Sequence, residues 1–171
     1  WPPKDTYGSE NSFVKSRSLV SASPGDIFDM IYDSSRTKEY NKYSVGRTDA
    51  VELGKTTKIV WNRTAPPGTK RPHDFCTLMH GETFTNGTQL LMTCATEHPK
   101  VKPSKEYLRS EILLGVNLMV PISEGQTELT CINHVKTKGV PTFLAERVSA
   151  GSAIDFVRQV RQICGGIGAS S

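Results

Sequence analysis

Phe143-Leu144-Ala145-Glu146-Arg147-Val148-Ser149-Ala150-Gly151-Ser152-Ala153-Ile154-Asp155-Phe156-Val157-Arg158-Gln159-Val160-Arg161-Gln162-Ile163-Cys164 reads as one long amphipathic helix, and almost everything before it reads as strands. At helical spacing Ala145, Val148, Ser149, Ser152, Ala153, Phe156, Val160 and Ile163 fall on one face. Arg147, Asp155, Arg158, Arg161 and Gln162 fall on the other. Half of the inward face is small: Ala145, Ser149, Ser152 and Ala153. A helix closing on a packed core brings Leu and Ile there. A helix lidding a cavity brings small residues where a ligand sits. Tight helix–sheet packing is the competing reading, and this stretch alone leaves both open.

Upstream, Ser12–Val20 alternates as a strand, and Ser23-Pro24-Gly25-Asp26 opens a helix. Ser23 can cap it, Pro24 suits the first helical position, and Asp26 favours its positive end. A helical turn follows over Arg36–Tyr40. Strand patterns then cover Ser44–Leu53, Thr56–Arg63, Asp74–Thr85, Gln89–Thr96, Tyr107–Leu114, Asn117–Ile122 and Glu128–Lys136. Asn86-Gly87, Gly54-Lys55 and Glu124-Gly125 are tight-turn signals, so neighbours pair as an antiparallel meander. Such a sheet must curl or be covered on its concave side. The C-terminal helix is the available cover, led in by Gly139-Val140-Pro141, with Thr142 as cap and Gly165-Gly166 as stop. The expected class is α+β, a curved sheet wrapped around one helix. Residues 1–11 read as an irregular lead-in, 12–164 as one domain, and 165–171 as a loose tail.

The 171 residues carry 21 basic and 17 acidic side chains, a formal charge of +4. No Lys/Arg run exceeds two, which argues against nucleic acid as a partner. A mild positive bias suits transient contact with an anionic membrane surface. No run of 18 apolar residues occurs, so no helix is expected to span a membrane. The chain starts at Trp1 rather than Met, the start expected of a fragment or processed product. Cys76, Cys94, Cys131 and Cys164 are far apart in apolar stretches without CxxC, which reads as buried free thiols in a reducing, cytoplasmic setting. Asn62 and Asn86 open glycosylation patterns that matter only in a secreted chain. His73, His80, His98 and His134 each stand alone, without HExxH, GxSxG or a Walker loop. No catalytic group, metal ligand or cofactor is expected. A Cys76–His134 pair meeting across strands is the one nucleophilic alternative. Mid-strand Arg109 could meet a ligand head group or pair with Glu111, Asp74 or another carboxylate. Trp61 could line a cavity or pack on the sheet.

Five short segments stand in order: Ser21-Ala22-Ser23-Pro24-Gly25-Asp26-Ile27-Phe28, Glu39-Tyr40-Asn41, Arg71-Pro72-His73-Asp74-Phe75, Tyr107-Leu108-Arg109-Ser110-Glu111 and Lys138-Gly139-Val140-Pro141. Together they resemble the START domain, the lipid-transfer module related to the steroidogenic acute regulatory protein. Tyr40 and Val140 stand where the family usually has Trp, and His73 where it has Arg; all three read as packing or surface substitutions. The family's first helix and first strand or two have no clear counterpart before Ser12. The resemblance implies a helix-grip fold enclosing a tunnel for one lipid, with Ala65–Pro72 as the omega loop at its mouth. It also implies Val60 and Met79 at the positions where some cholesterol-type members place an internal charged pair. Strand alternation puts Lys58, Val60 and Asn62 on one face and Phe75, Thr77 and Met79 on another. The expected ligand-lining residues are Val60, Asn62, Phe75, Thr77, Met79, Arg109, Ser149, Ser152, Ala153 and Phe156, with Lys70 and Arg71 at the membrane. The implied function is non-enzymatic: a monomer that sequesters a phospholipid, sterol or other apolar ligand. A ligand-sensing domain of a larger protein, or the appendage of an acyl-thioester hydrolase, are the alternatives.

Overall fold

The computed structural model describes residues 11 and 13–165, so the expected lead-in and tail fall outside it except for Asn11 and Gly165. The elements in chain order are β1 (Phe13–Val20), α1 (Pro24–Tyr32), a 3-10 turn (Ser34–Arg36), α2 (Thr37–Tyr40), β2 (Ser44–Glu52), β3 (Thr57–Thr64), β4 (His73–Thr83), β5 (Gln89–Ala95), β6 (Leu108–Arg109), β7 (Glu111–Ser123), β8 (Gln126–Lys136) and α3 (Thr142–Gly165). The sheet runs β1-β8-β7-β5-β4-β3-β2, antiparallel along this path. The hairpins follow the meander expected from the turns. β1 then pairs along β8, Phe13 opposite His134 to Val20 opposite Thr127.

Two strand expectations need correction. Tyr107–Leu114 is not one strand: Leu108–Arg109 forms a short parallel pair with His73–Asp74, and the chain breaks at Ser110. Beyond it β7 runs unbroken through Gly115. Gly115 reads as an interruption in the sequence, but it serves packing. A Cβ there would lie 2.1 Å from Thr93 Oγ1, so only glycine leaves room for the neighbouring strand's side chain.

α1 starts as its sequence dictates. Ser23 Oγ accepts from the Asp26 N–H, the Asp26 carboxylate accepts from the Ser23 N–H, and Pro24 takes the first turn. Its buried stripe of Ile27, Phe28, Met30 and Ile31 lies on the concave face of the sheet. The approach is close: a Cβ on Gly81 would sit 2.4 Å from the Phe28 ring. The main core joins this stripe to Met79, Leu91, Met119, Leu129 and Cys131 from the sheet and to Val160 and Cys164 from α3. Each such large apolar side chain contributes about 1.5–3 kcal/mol on burial. A smaller cluster of Ile59, Cys76 and Val101, flanked by Trp61 and Leu78, covers the convex face.

The phase of α3 is as the sequence implies. Ala153, Val160 and Cys164 are buried, while Arg147, Arg158, Arg161 and Gln162 are exposed. The cap is shifted by one residue: the Pro141 carbonyl accepts from the Leu144 and Ala145 N–H groups, so Thr142 is the first helical residue. Among the described residues no helix is long and apolar enough to cross a membrane. Cys76, Cys131 and Cys164 are buried free thiols as expected, but Cys94 is exposed on the convex side.

Candidate functional site

The register of β3 on β4 decides which predicted residues share a surface. Lys58 lies opposite Met79, Val60 opposite Thr77 and Asn62 opposite Phe75. Opposed residues in an antiparallel pair point to the same side. The two triplets assigned to separate faces therefore form one patch on the concave face. Met79 belongs to the sealed core and marks the closed end of the patch. Val60, Thr77 and Phe75 are buried, and Asn62 is half-buried.

Opposite this face, α3 divides in two. Its C-terminal half enters the core through Phe156, Val157, Val160, Ile163 and Cys164. Phe156 also sets its ring edge-on against Tyr40, 5.5 Å between centroids, and so packs on α2. In the N-terminal half Ala145, Val148, Ser149 and Ser152 are only half-buried. The concave positions Thr93, Ala95 and Asn117 are likewise half-buried, and Asn133 is exposed, so this part of the concave face is not sealed. Ala153 faces β1, where it helps line a groove of about 580 Å³ with Ser16, Ser18 and Ser21. Gly68 of the loop 65–72 brings the backbone to the start of α3: a Cβ there would sit 3.4 Å from Leu144.

Charges on the concave side are committed to the frame. Arg47 donates to the last carbonyls of α1, Ile31 O at 2.7 Å and Tyr32 O at 2.9 Å, where a cation also meets the negative helix end. Buried Lys58 donates to Tyr32 O at 2.7 Å and Asp49 Oδ2 at 2.9 Å, beneath the Tyr32 ring.

Arg109 takes the second of its two sequence readings, pairing with a carboxylate, and so leaves the expected ligand-lining set. It forks onto Asp74, Nε to Oδ1 at 3.0 Å and an Nη to Oδ2 at 2.8 Å, and donates to the Val101 carbonyl. Asp74 alternates away from His73 and Phe75, so this pair belongs to the convex face, not to a ligand site on the concave one. Trp61 joins it there, its indole N–H donating to Asp74 at 3.0 Å. The fork raises the Arg109 pKa further above its ordinary value. Cys76 and His134 do not meet: β5 and β7 stand between their strands, and burial pushes the Cys76 thiol up, away from nucleophilic behaviour. Burial does the same to Cys131, pushed up to about 12. Among the described residues no group of three metal-binding side chains occurs. Lys70 and Arg71 are exposed, and Arg71 donates to the Lys105 carbonyl at 2.8 Å, joining the loops 65–72 and 96–107.

Sequence reasoning missed one residue. His73 is 1% exposed, so of its two readings, packing or surface substitution for a family arginine, the surface one falls. It lies on the face of Phe75 and Thr77. Its Nδ1 is 2.8 Å from Ser110 Oγ, and its Nε2 has no partner among the described residues. Thr77 Oγ1, wholly buried on the same face, also lacks one. Such unpaired buried groups each cost about 1–3 kcal/mol. Burial lowers the His73 pKa, so the ring is held neutral. The signal was available: starting the strand one residue earlier than Asp74 extends the Phe75–Thr77 alternation to His73.

A curved antiparallel sheet gripping a C-terminal helix defines the helix-grip fold, α+β in class. The sequence comparison agrees: the chain belongs to the START domain family, whose pattern matches residues 14–170. A comparison with curated protein sequences finds no relative. Among solved structures it is similar to the human StarD13 (DLC2) lipid transfer and protein localization domain, with a TM-score of 0.82 at 18% identity over 92% of this chain and 79% of that one. Human StAR-related lipid transfer protein 5 gives 0.84 at 16% identity, over 91% and 76%. The Zhui aromatase/cyclase from Streptomyces sp. R1128 gives 0.65 at 9% identity, over 90% and 93%. At these identities the structural likeness speaks for the fold alone.

Proposed function

We propose that the domain sequesters one lipid between the concave face and the N-terminal half of α3, and exchanges it at membranes. The observation that carries this reading is the contrast along α3. One half seals a core, while the other sets half-buried Ser149 and Ser152 over a face that is not sealed. A lipid tail in a dry cavity gains about 0.8 kcal/mol per methylene, on the order of 10 kcal/mol for an acyl chain before ordering costs. A membrane offers the same gain, so exchange there is close to neutral while release into water is not. The gate in this reading is the loop 65–72 against the first turn of α3, at the Gly68–Leu144 contact. The protein acts as a monomer in the cytoplasm, without a cofactor and without chemistry on its cargo. The Thr57–His80 contact, at 2.7 Å, lies on the convex face; on the concave face the Ser110–His73 contact is the nearest approach to a nucleophile and base among the described residues. Its serine oxygen already accepts from the Lys138 N–H, and the described residues offer no third group to orient the ring. The Zhui likeness keeps an enzymatic use of this fold in view.

Native mass spectrometry of protein incubated with mixed-lipid vesicles tests the reading. One lipid per chain is the expected result. No adduct across a broad panel of phospholipids, sterols and neutral lipids refutes it.

A further inference from the structure

His73 points to the chemical class of the cargo, an inference that rests on the lipid-binding reading. The Lys138 N–H donates to Ser110 Oγ at 3.1 Å, and the Ser110 hydroxyl lies 2.8 Å from His73 Nδ1. Ser110 is itself buried. Its hydroxyl proton needs an acceptor, and the Nδ1 lone pair is the one at hand. The neutral ring then carries its own proton on Nε2, where none of the described residues receives it. Four residues along the same face of β4, about 13 Å away at strand rise, Thr77 Oγ1 is also unpartnered. Both groups are neutral. On β2 and β3 the cations of this face, Arg47 and Lys58, are bonded to α1 and Asp49. Among the described residues of β2 and β3, a phosphate buried against this patch would find no uncommitted cation, whereas a hydroxyl or carbonyl oxygen would find an uncommitted donor.

We propose that His73 Nε2–H is the donor for an uncharged, oxygen-bearing lipid, whose hydroxyl or carbonyl oxygen accepts from it while its apolar body runs from Phe75 toward the unsealed part of the concave face. Ser110 and the Lys138 backbone are positioning groups that hold the tautomer.

Long-range nitrogen–proton spectra of the histidine-labelled protein read the tautomer directly. The expected state is Nε2–H; an Nδ1–H ring overturns the assignment. Methyl oleate and octadecane, delivered from cyclodextrin, then differ in whether an acceptor is present. Methyl oleate should move the His73 Nε2–H resonance, and octadecane should not. In H73F the preference for the ester over the alkane should fall by about tenfold, the worth of one hydrogen bond to a buried group. Identical resonances with both probes mean that water alone meets the nitrogen, and overturn the proposal. So does phosphatidylcholine bound in place of methyl oleate with the ring unmoved, although lipid binding itself would then stand. Failure of all three probes to bind overturns this proposal, while the lipid-binding reading is decided by the broader panel.

Discussion

Single residues on β4 are sorted by which way they alternate. His73 and Asp74 are neighbours, yet one faces the concave side and the other the convex side. Asp74 is 1% exposed and holds both Arg109 and the Trp61 indole. A buried carboxylate stripped of its cation is costly, because the remaining charge keeps only the Trp61 indole N–H and no counter-charge. Arg109→Ala should lower stability by about 3–5 kcal/mol. Urea unfolding followed by circular dichroism measures this. Lipid affinity of the folded fraction should be unchanged, since the guanidinium lies behind the sheet. A loss of affinity with little loss of stability would return Arg109 to the ligand site.

At the scale of the element, α3 is one helix with two tasks. The C-terminal half carries Val160 and Cys164, and the N-terminal half carries serines where apolar residues could have packed. A probe of the lid belongs at Ser152, which is half-buried, rather than at Ala153, which is 5% exposed against β1 and would be overpacked by a large side chain. Ser152→Trp should abolish lipid uptake, a loss of at least about tenfold, with the circular dichroism spectrum intact. Arg158→Ala, on the exposed face, should bind like the parent. Unchanged uptake by Ser152→Trp would mean that the helix closes on a filled core, the competing reading of its small residues.

Across the whole molecule, the Arg71–Lys105 hydrogen bond draws two loops together, bringing Lys70 and Arg71 into the company of Lys105. Each basic residue near an anionic surface contributes about 1 kcal/mol, screened by salt. Transfer from anionic vesicles should therefore outpace transfer from neutral ones and slow as salt rises. Lys70→Ser with Arg71→Ser should remove that preference and leave lipid affinity alone. Fluorescence dequenching between vesicle populations reads both effects. Equal rates from the two vesicle types at low salt would leave this basic edge without a part in docking.

The sequence by itself determined the order of most elements, the Ser23 cap of α1, the hairpin turns and the phase of α3. Each is written in residues within a turn or two of one another, where periodicity and cap chemistry act. The five short motifs added the family. Only the tertiary structure decided that Val60 and Thr77 share a face, because a strand's period of two leaves the choice of side to its partner's register. Only it closed β1 onto β8, more than 100 residues away, and ran β7 through Gly115 on the strength of Thr93. The His73 donor lay furthest from the sequence. It exists because Ser110, 37 residues on, and the backbone of Lys138 meet the ring in space and fix its tautomer. No local pattern encodes a hydrogen bond whose partners are a distant hydroxyl and a main-chain amide.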